Sequence, residues 1–180
     1  MKTHIDWLEL TNNSANPTDT DSTRRGIVAV GKSVRHWNGT SWIPLELKAV
    51  TRTGATIPTA TGAVSEYIIA PEAGSLISVE INPLVALATS NTNYITWTIT
   101  NLGQDGAGTT AMLAAVDANT TKATGGTALA ANTKRSLTVH GTATNLVVTQ
   151  GDKIQITATV TGTLVNTVTV PVYQLRFGGV

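Results

Sequence analysis

Tyr94-Ile-Thr-Trp-Thr-Ile-Thr100 decides the fold class. Tyr94, Thr96, Thr98 and Thr100 fall on one side of an extended chain, and Ile95, Trp97 and Ile99 on the other. That is the period of two of a β-strand. Strict alternation means one buried and one wet face, the habit of antiparallel sheets. Thr and Ile are stiff at χ1 and suit a pleated surface. Trp97, set between two isoleucines, is expected in the core rather than on the surface as a stacking platform for a sugar.

The pattern repeats on both sides of this stretch. Leu45–Thr51 and Val64–Ile69 precede it, the latter closed by Pro71-Glu-Ala-Gly74. Leu76–Ile81 follows, closed by Asn82-Pro83. Beyond Thr100, after the Gly-rich loop Gly103–Gly108, come Ala111–Val116, Ser136–His140, Asn145–Thr149, Ile154–Val160 and Val168–Phe177. In the last, Val168, Val170 and Val172 alternate with Thr167 and Thr169. Asp117–Thr133 reads as a long loop. Pro83–Ala88 is a short helix candidate, and Ala114–Asp117 a weaker one. No stretch reads as a βαβ unit. About eight strands with turn signals at short intervals predict an all-β, antiparallel β-sandwich over residues 46–180. One long crossover loop makes it jelly-roll-like, with an immunoglobulin-like sandwich as the runner-up.

Residues 1–45 differ. Thr11–Thr23 is polar without apolar periodicity and cannot bury enough surface to fold alone. Residues 1–25 therefore read as an extended N-terminal arm, with Ile5, Trp7, Leu8 and Leu10 as an apolar patch and Arg24-Arg25 as its close. Residues 26–45 read as a short strand, Gly26–Val30, and a small β-hairpin, Val34–Ile43, whose second strand Pro44 ends. Asn38-Gly39 signals a two-residue type I′ loop. In that register Trp37 pairs with Thr40, and Trp42 lies opposite Arg35, diagonal to Trp37.

Composition excludes several classes of function. The chain has 180 residues and a formal net charge of +1, and charged residues are 13% of it, about half the usual share. Nucleic-acid binders carry a basic footprint that is missing here. There is no cysteine, which removes thiolate catalysis and Cys-ligated zinc. Thr makes up roughly a sixth of the residues, far above average usage. No apolar core of about 7–15 residues follows Met1, so a standard signal peptide is not expected. Ile81–Gln104 and Ile154–Leu175 are uncharged but interrupted by Thr, Asn, Gly and Pro, and neither gives the roughly 20 mostly apolar residues of a span. The chain is expected to bind no membrane.

Chemistry-bearing clusters are sparse. His4, His36 and His140 have no ligand spacing, so no metal is expected. Asp105 and Asp152 precede or follow glycines as turn residues do, with calcium as the competing reading. Gly103–Gly108 lacks the Lys-Ser/Thr ending and the helix of a phosphate loop. Carboxylates are scattered singly and no Gly-x-Ser-x-Gly elbow occurs, so no catalytic residue, no cofactor and no enzymatic activity are expected. Asn12, Asn38 and Asn119 match the glycosylation pattern, which a Thr- and Asn-rich chain produces by chance. Trp37 and Trp42 sit on a hairpin too small to cover them, which makes them candidates for an interaction surface.

Val34-Arg-His-Trp-Asn-Gly-Thr-Ser-Trp-Ile-Pro44 resembles the Trp-Asn-Gly-x-x-Trp hairpins of tail-fibre, head-fibre and decoration proteins of tailed bacteriophages. The Thr/Ala/Gly-rich region containing Gln150-Gly-Asp-Lys-Ile-Gln-Ile156 resembles their jelly-roll modules. The chain looks like a capsid cement (decoration) protein of such a phage. That resemblance implies a structural virion protein and a homotrimer whose partner is the major capsid protein. Residues 1–45 would attach it, through Trp7, Leu8, Arg24, Arg25, Trp37 and Trp42, and the sandwich would project with its outer face open to a glycan. The alternative is the carbohydrate-binding, receptor-recognising head of a phage fibre.

Overall fold

The structure, a computed structural model, describes residues 27–30, 33–37, 42–44 and 48–178. The chain divides into two compact units, Met1–Leu47 with Gly178–Val180, and Lys48–Phe177. In the first, β1 (Ile27–Val30), β2 (Ser33–Trp37) and β3 (Trp42–Pro44) form an antiparallel sheet in that order. The expected short strand and hairpin are both present, and Pro44 is the last residue of β3.

The expected hairpin register is corrected. Trp37 pairs with Trp42, His36 with Ile43 and Arg35 with Pro44. The connection is therefore the four residues 38–41, not Asn38-Gly39 alone. The two registers differ by two residues, so every position keeps its face. What changes is the partner: the two tryptophan positions become directly opposed, the most favourable cross-strand arrangement for large aromatics.

The second unit is an all-β sandwich. Its strands are β4 (Lys48–Thr53), β5 (Gly62–Ile69), β6 (Gly74–Asn82), β7 (Tyr94–Asn101), β8 (Thr110–Ala111), β9 (Arg135–Leu137), β10 (Val147–Val148), β11 (Lys153–Thr161) and β12 (Val172–Gly178). One sheet runs β10-β6-β12-β4, with β9 also paired to β6; the other runs β5-β11-β7-β8. The antiparallel pairs are nested: β4 with β12, β5 with β11, β6 with β9 and β10, β7 with β8. One long hairpin folded over into two sheets gives this order, which is the double Greek key of a jelly roll. The immunoglobulin-like alternative drops out.

The core is built as the alternation predicts. Ile95, Trp97 and Ile99 are buried, as are Ile154, Ile156, Ala158 and Val160 on β11 and Leu76, Val79 and Ile81 on β6. On β6 the inward positions change from even to odd between Leu76 and Val79, which marks an extra residue at Ile77–Ser78. There the partner strand also breaks: β9 pairs with residues 79–81 and β10 with residues 74–75. Between them residues 138–146 leave the sheet. Val139 bridges to Leu113, and Ala143–Leu146 forms a 3-10 turn.

Four further expectations are corrected. Residues 83–88 form no helix; Leu87 instead exchanges two backbone hydrogen bonds with Leu129, at 3.0 and 2.9 Å. A helix of six residues is marginal alone, whereas the extended form buries Leu87. The 3-10 turn in the next region is Asp117–Asn119, just beyond Ala114–Asp117. The strand expected over Ala111–Val116 narrows to Thr110–Ala111, because the chain beyond it pairs on both sides: Met112 N donates to Ile99 O, and His140 N donates to Met112 O, both at 2.8 Å. The last strand starts at Val172, not Val168. Val170 has φ of +37°, unusual for a β-branched residue, and this kink resets the phase. Val168 and then Tyr173, Leu175 and Phe177 all reach the core, although their parities differ.

The two edges of the sandwich are closed differently. Between β4 and β5, Arg52 Nε and Nη2 donate to Glu66 Oε2 at 3.1 and 2.9 Å, and Ala55 N donates to Glu66 Oε1 at 2.8 Å. At the opposite edge, the chain after β8 bonds both to β7 and to residues 138–140. That second edge builds the feature described next.

Candidate functional site

Of the six predicted attachment residues, Trp7, Leu8, Arg24 and Arg25 lie outside the described residues. Trp37 and Trp42 lie within them, opposite each other on one face of the β1-β2-β3 sheet. Register puts positions 28, 30, 33, 35, 37, 42 and 44 on that face, and 27, 29, 34, 36 and 43 on the other. In sequence these are Val28, Val30, Ser33, Arg35, Trp37, Trp42 and Pro44 against Ile27, Ala29, Val34, His36 and Ile43. Both faces are predominantly apolar, the pattern of a sheet covered on two sides.

In the sandwich, the turn reading of the aspartates has direct hydrogen-bond support. Asp105 Oδ1 accepts from Ala107 N at 3.0 Å. Asp152 is buried, and its Oδ2 accepts from Thr149 N at 2.8 Å and Asn101 Nδ2 at 2.9 Å. Asn119 is buried too, which removes it as a glycosylation acceptor. Its Nδ2 donates to the carbonyls of Ala114 and Thr138 and its Oδ1 accepts from Thr138 N, at 2.7–2.8 Å. His140 Nδ1 accepts from Thr142 N at 3.1 Å. Among the described residues, no three His, Asp or Glu side chains stand close enough to hold a metal.

A cleft of about 420 Å³ lies along the outer side of β7. Thr96, Thr98 and Thr100, the wet face of the founding strand, form its floor. Ala114, Ala115 and Val116 form an apolar flank, and Asp117 and Lys122 stand at one end. Lys122 Nζ donates to Asp117 Oδ1 at 2.8 Å and sits 5.1 Å from the Tyr94 ring centroid. The hydrogen bond to Asp117 holds the Lys122 ammonium above its ordinary range, against a smaller opposing effect of burial.

The wall is locked by groups that sequence reasoning missed. Thr121 N donates to Ile95 O, and Ile95 N donates to Thr121 Oγ1, both at 2.9 Å, which splices the segment to β7. Arg135 enters from β9. Its Nη1 donates to Thr127 O at 2.8 Å, and its Nη2 to Ala118 O and Thr120 O at 2.6 and 2.7 Å. The guanidinium carbon lies 5.1 Å from the Trp97 ring centroid. Burial lowers the Arg135 pKa to about 10. Gly126 packs so closely on Lys122 that a Cβ would stand 2.5 Å from its backbone N and O. One signal pointed to Arg135: in Arg135-Ser-Leu137 it shares the inward parity of Leu137.

No family profile matches the sequence, and no curated protein matches it. Among solved structures, the chain is similar to a chain in the structure of infectious bursal disease virus Gx strain, with a TM-score of 0.40 and 11% sequence identity. The alignment covers 82% of this chain and 42% of that one, so this chain spans less than half the length of its neighbour.

Proposed function

We propose that this chain is a structural protein of a tailed-bacteriophage virion, a capsid decoration protein. Residues 1–45 attach it to the major capsid protein, and the sandwich projects from the shell. The observation that carries this reading is the β1-β2-β3 sheet. Three strands of 4, 5 and 3 residues with apolar positions on both faces are too small to bury those positions by themselves. At least one face therefore asks for a cover. The face with Trp37 and Trp42 carries the aromatic type that dominates interface energy. Arg24 and Arg25 would set register through exposed ion pairs, each worth about 0–1 kcal/mol.

A homotrimer suits this role. The outer side of β11 presents Thr157, Thr159 and Thr161, an uncharged row that is desolvated at little cost. Closed cyclic symmetry matches a three-fold site on a shell. The test adds purified variants to particles that lack the protein and measures occupancy. Trp37→Ala with Trp42→Ala should lower occupancy more than Arg24→Ala with Arg25→Ala. Full occupancy by a chain lacking residues 1–45 would overturn the attachment, and a monomer in light scattering would overturn the trimer.

A further inference from the structure

We propose that the cleft beside β7 is a binding site for a neutral saccharide. The volume of about 420 Å³ lies within the range of small-molecule sites. The floor presents three threonines at alternate strand positions, about 6.6 Å apart. Each hydroxyl donates once and accepts twice, which matches a ligand whose every substituent is itself a donor and an acceptor. Ala114, Ala115 and Val116 offer an apolar flank to the C–H side of a sugar ring.

Charge narrows the ligand class. Asp117 supplies an acceptor-only group and Lys122 a donor-only group, 2.8 Å apart. Their side chains keep 46% and 32% of their exposure, so both can still reach a ligand. The pair sums to zero. An anion would face Asp117 and a cation would face Lys122, whereas a neutral polyol uses both. Asp117 is the one carboxylate among the lining residues. Glycoside hydrolysis ordinarily takes two carboxylates flanking the bond, so the site is built to bind and not to cleave. The fixed wall favours affinity. Arg135, Asn119 and the Thr121–Ile95 splice hold residues 114–122 in place, and little ordering is left to be lost on binding.

The test is saturation-transfer NMR on the full chain with glucose, galactose, N-acetylglucosamine and rhamnose as neutral probes and glucose 6-phosphate as the anionic arm. At least one neutral probe should give saturable transfer and shift the amides of residues 96–100 and 114–122. Thr98→Val and Asp117→Asn should each weaken that binding roughly tenfold, the loss of one or two hydrogen bonds, with melting unchanged. The amide shifts of the unsubstituted chain read the site even where a variant folds poorly. No transfer from any neutral probe, shifts confined to other residues, a stronger response to the phosphate, or full binding by both variants would each overturn the proposal.

Discussion

Arg135→Met tests whether one buried cation holds the cleft wall. The substitution keeps most of the stem and removes the guanidinium. Three carbonyls lose this donor. Ala118 and Thr127 are exposed residues, where water can replace Arg135, but Thr120 is buried. Thr120 O keeps its bond from Thr127 N, so the loss there is one charge-assisted hydrogen bond, about 1.5–3 kcal/mol, and the lost contact with Trp97 adds about 1 kcal/mol. Relief of a buried charge offsets part of this, since burial already disfavours the cation. The net is a loss of about 2–3 kcal/mol. For a unit of this size that lowers Tm by about 6–10 °C. Urea unfolding followed by far-ultraviolet circular dichroism measures the first number. Amide exchange measures the local effect: Thr121 N and Thr127 N, bonded to Ile95 O and Thr120 O, should exchange faster than amides of β11. Arg135→Lys should lose most of the same stability, because a compact ammonium cannot fork to three carbonyls. A Met variant within about 0.5 kcal/mol of the parent, the range of a neutral surface change, would refute the reasoning.

Gly162→Ala should destabilise the sandwich by more than about 2 kcal/mol in the same assay, because φ is +72° and the new Cβ would overlap Thr92 O and Asn93 Oδ1. Tyr173 is buried, which pushes its phenol up to about 12, with a smaller opposing effect of Trp97 and a weaker raising effect of Glu66. Between pH 10 and 12 the unfolded chain has released this proton and the folded chain has kept it, so the contribution of Tyr173 to stability falls through that window by about 2–3 kcal/mol. Arg135 acts in the opposite sense above pH 10, since the folded state releases its proton first, so the comparison that isolates Tyr173 is the slope of stability against pH for Tyr173→Phe, which should be more positive than the parent's by up to about 1.4 kcal/mol per pH unit. Glu66→Ala should cost more than Arg52→Ala, about 1–2 against about 0–1 kcal/mol, because Glu66 also holds the Ala55 amide while Arg52 is half exposed. A chain of residues 46–180 should melt cooperatively with a β spectrum, as judged by circular dichroism; a collapsed or aggregated product would mean that the first unit completes the core.

The sandwich was legible because a period of two survives in single strands. Ile95, Trp97 and Ile99 announce the core without knowledge of any partner. Strand order was not legible, since the pairing of β4 with β12 joins the two ends of the unit and no local pattern encodes it. The reset at Val170 hid because Val168-Thr-Val-Pro-Val172 alternates in sequence while its backbone kinks. Asn38-Gly39 misled the hairpin register: a local turn preference yielded to the pairing of two tryptophan positions. The cleft was half legible. Thr96, Thr98 and Thr100 were read correctly as a wet face. The wall over them comes from a loop whose composition is that of any surface turn, and its hydrogen bonds to Arg135 and Ile95 and those of Asn119 give it shape. Of the attachment residues, Trp37 and Trp42 alone fall on described strands.

Attachment through the first unit is tested most directly by cryo-electron microscopy of the parent particle with and without the protein. The difference density should place the jelly roll outside the shell at a three-fold position, with β1-β2-β3 on the capsid surface and Trp37 and Trp42 at the contact. Density showing the cleft side of β7 against the shell, with the Trp37/Trp42 face turned to solvent, would contradict it, as would a particle whose capsid surface is the same in both maps.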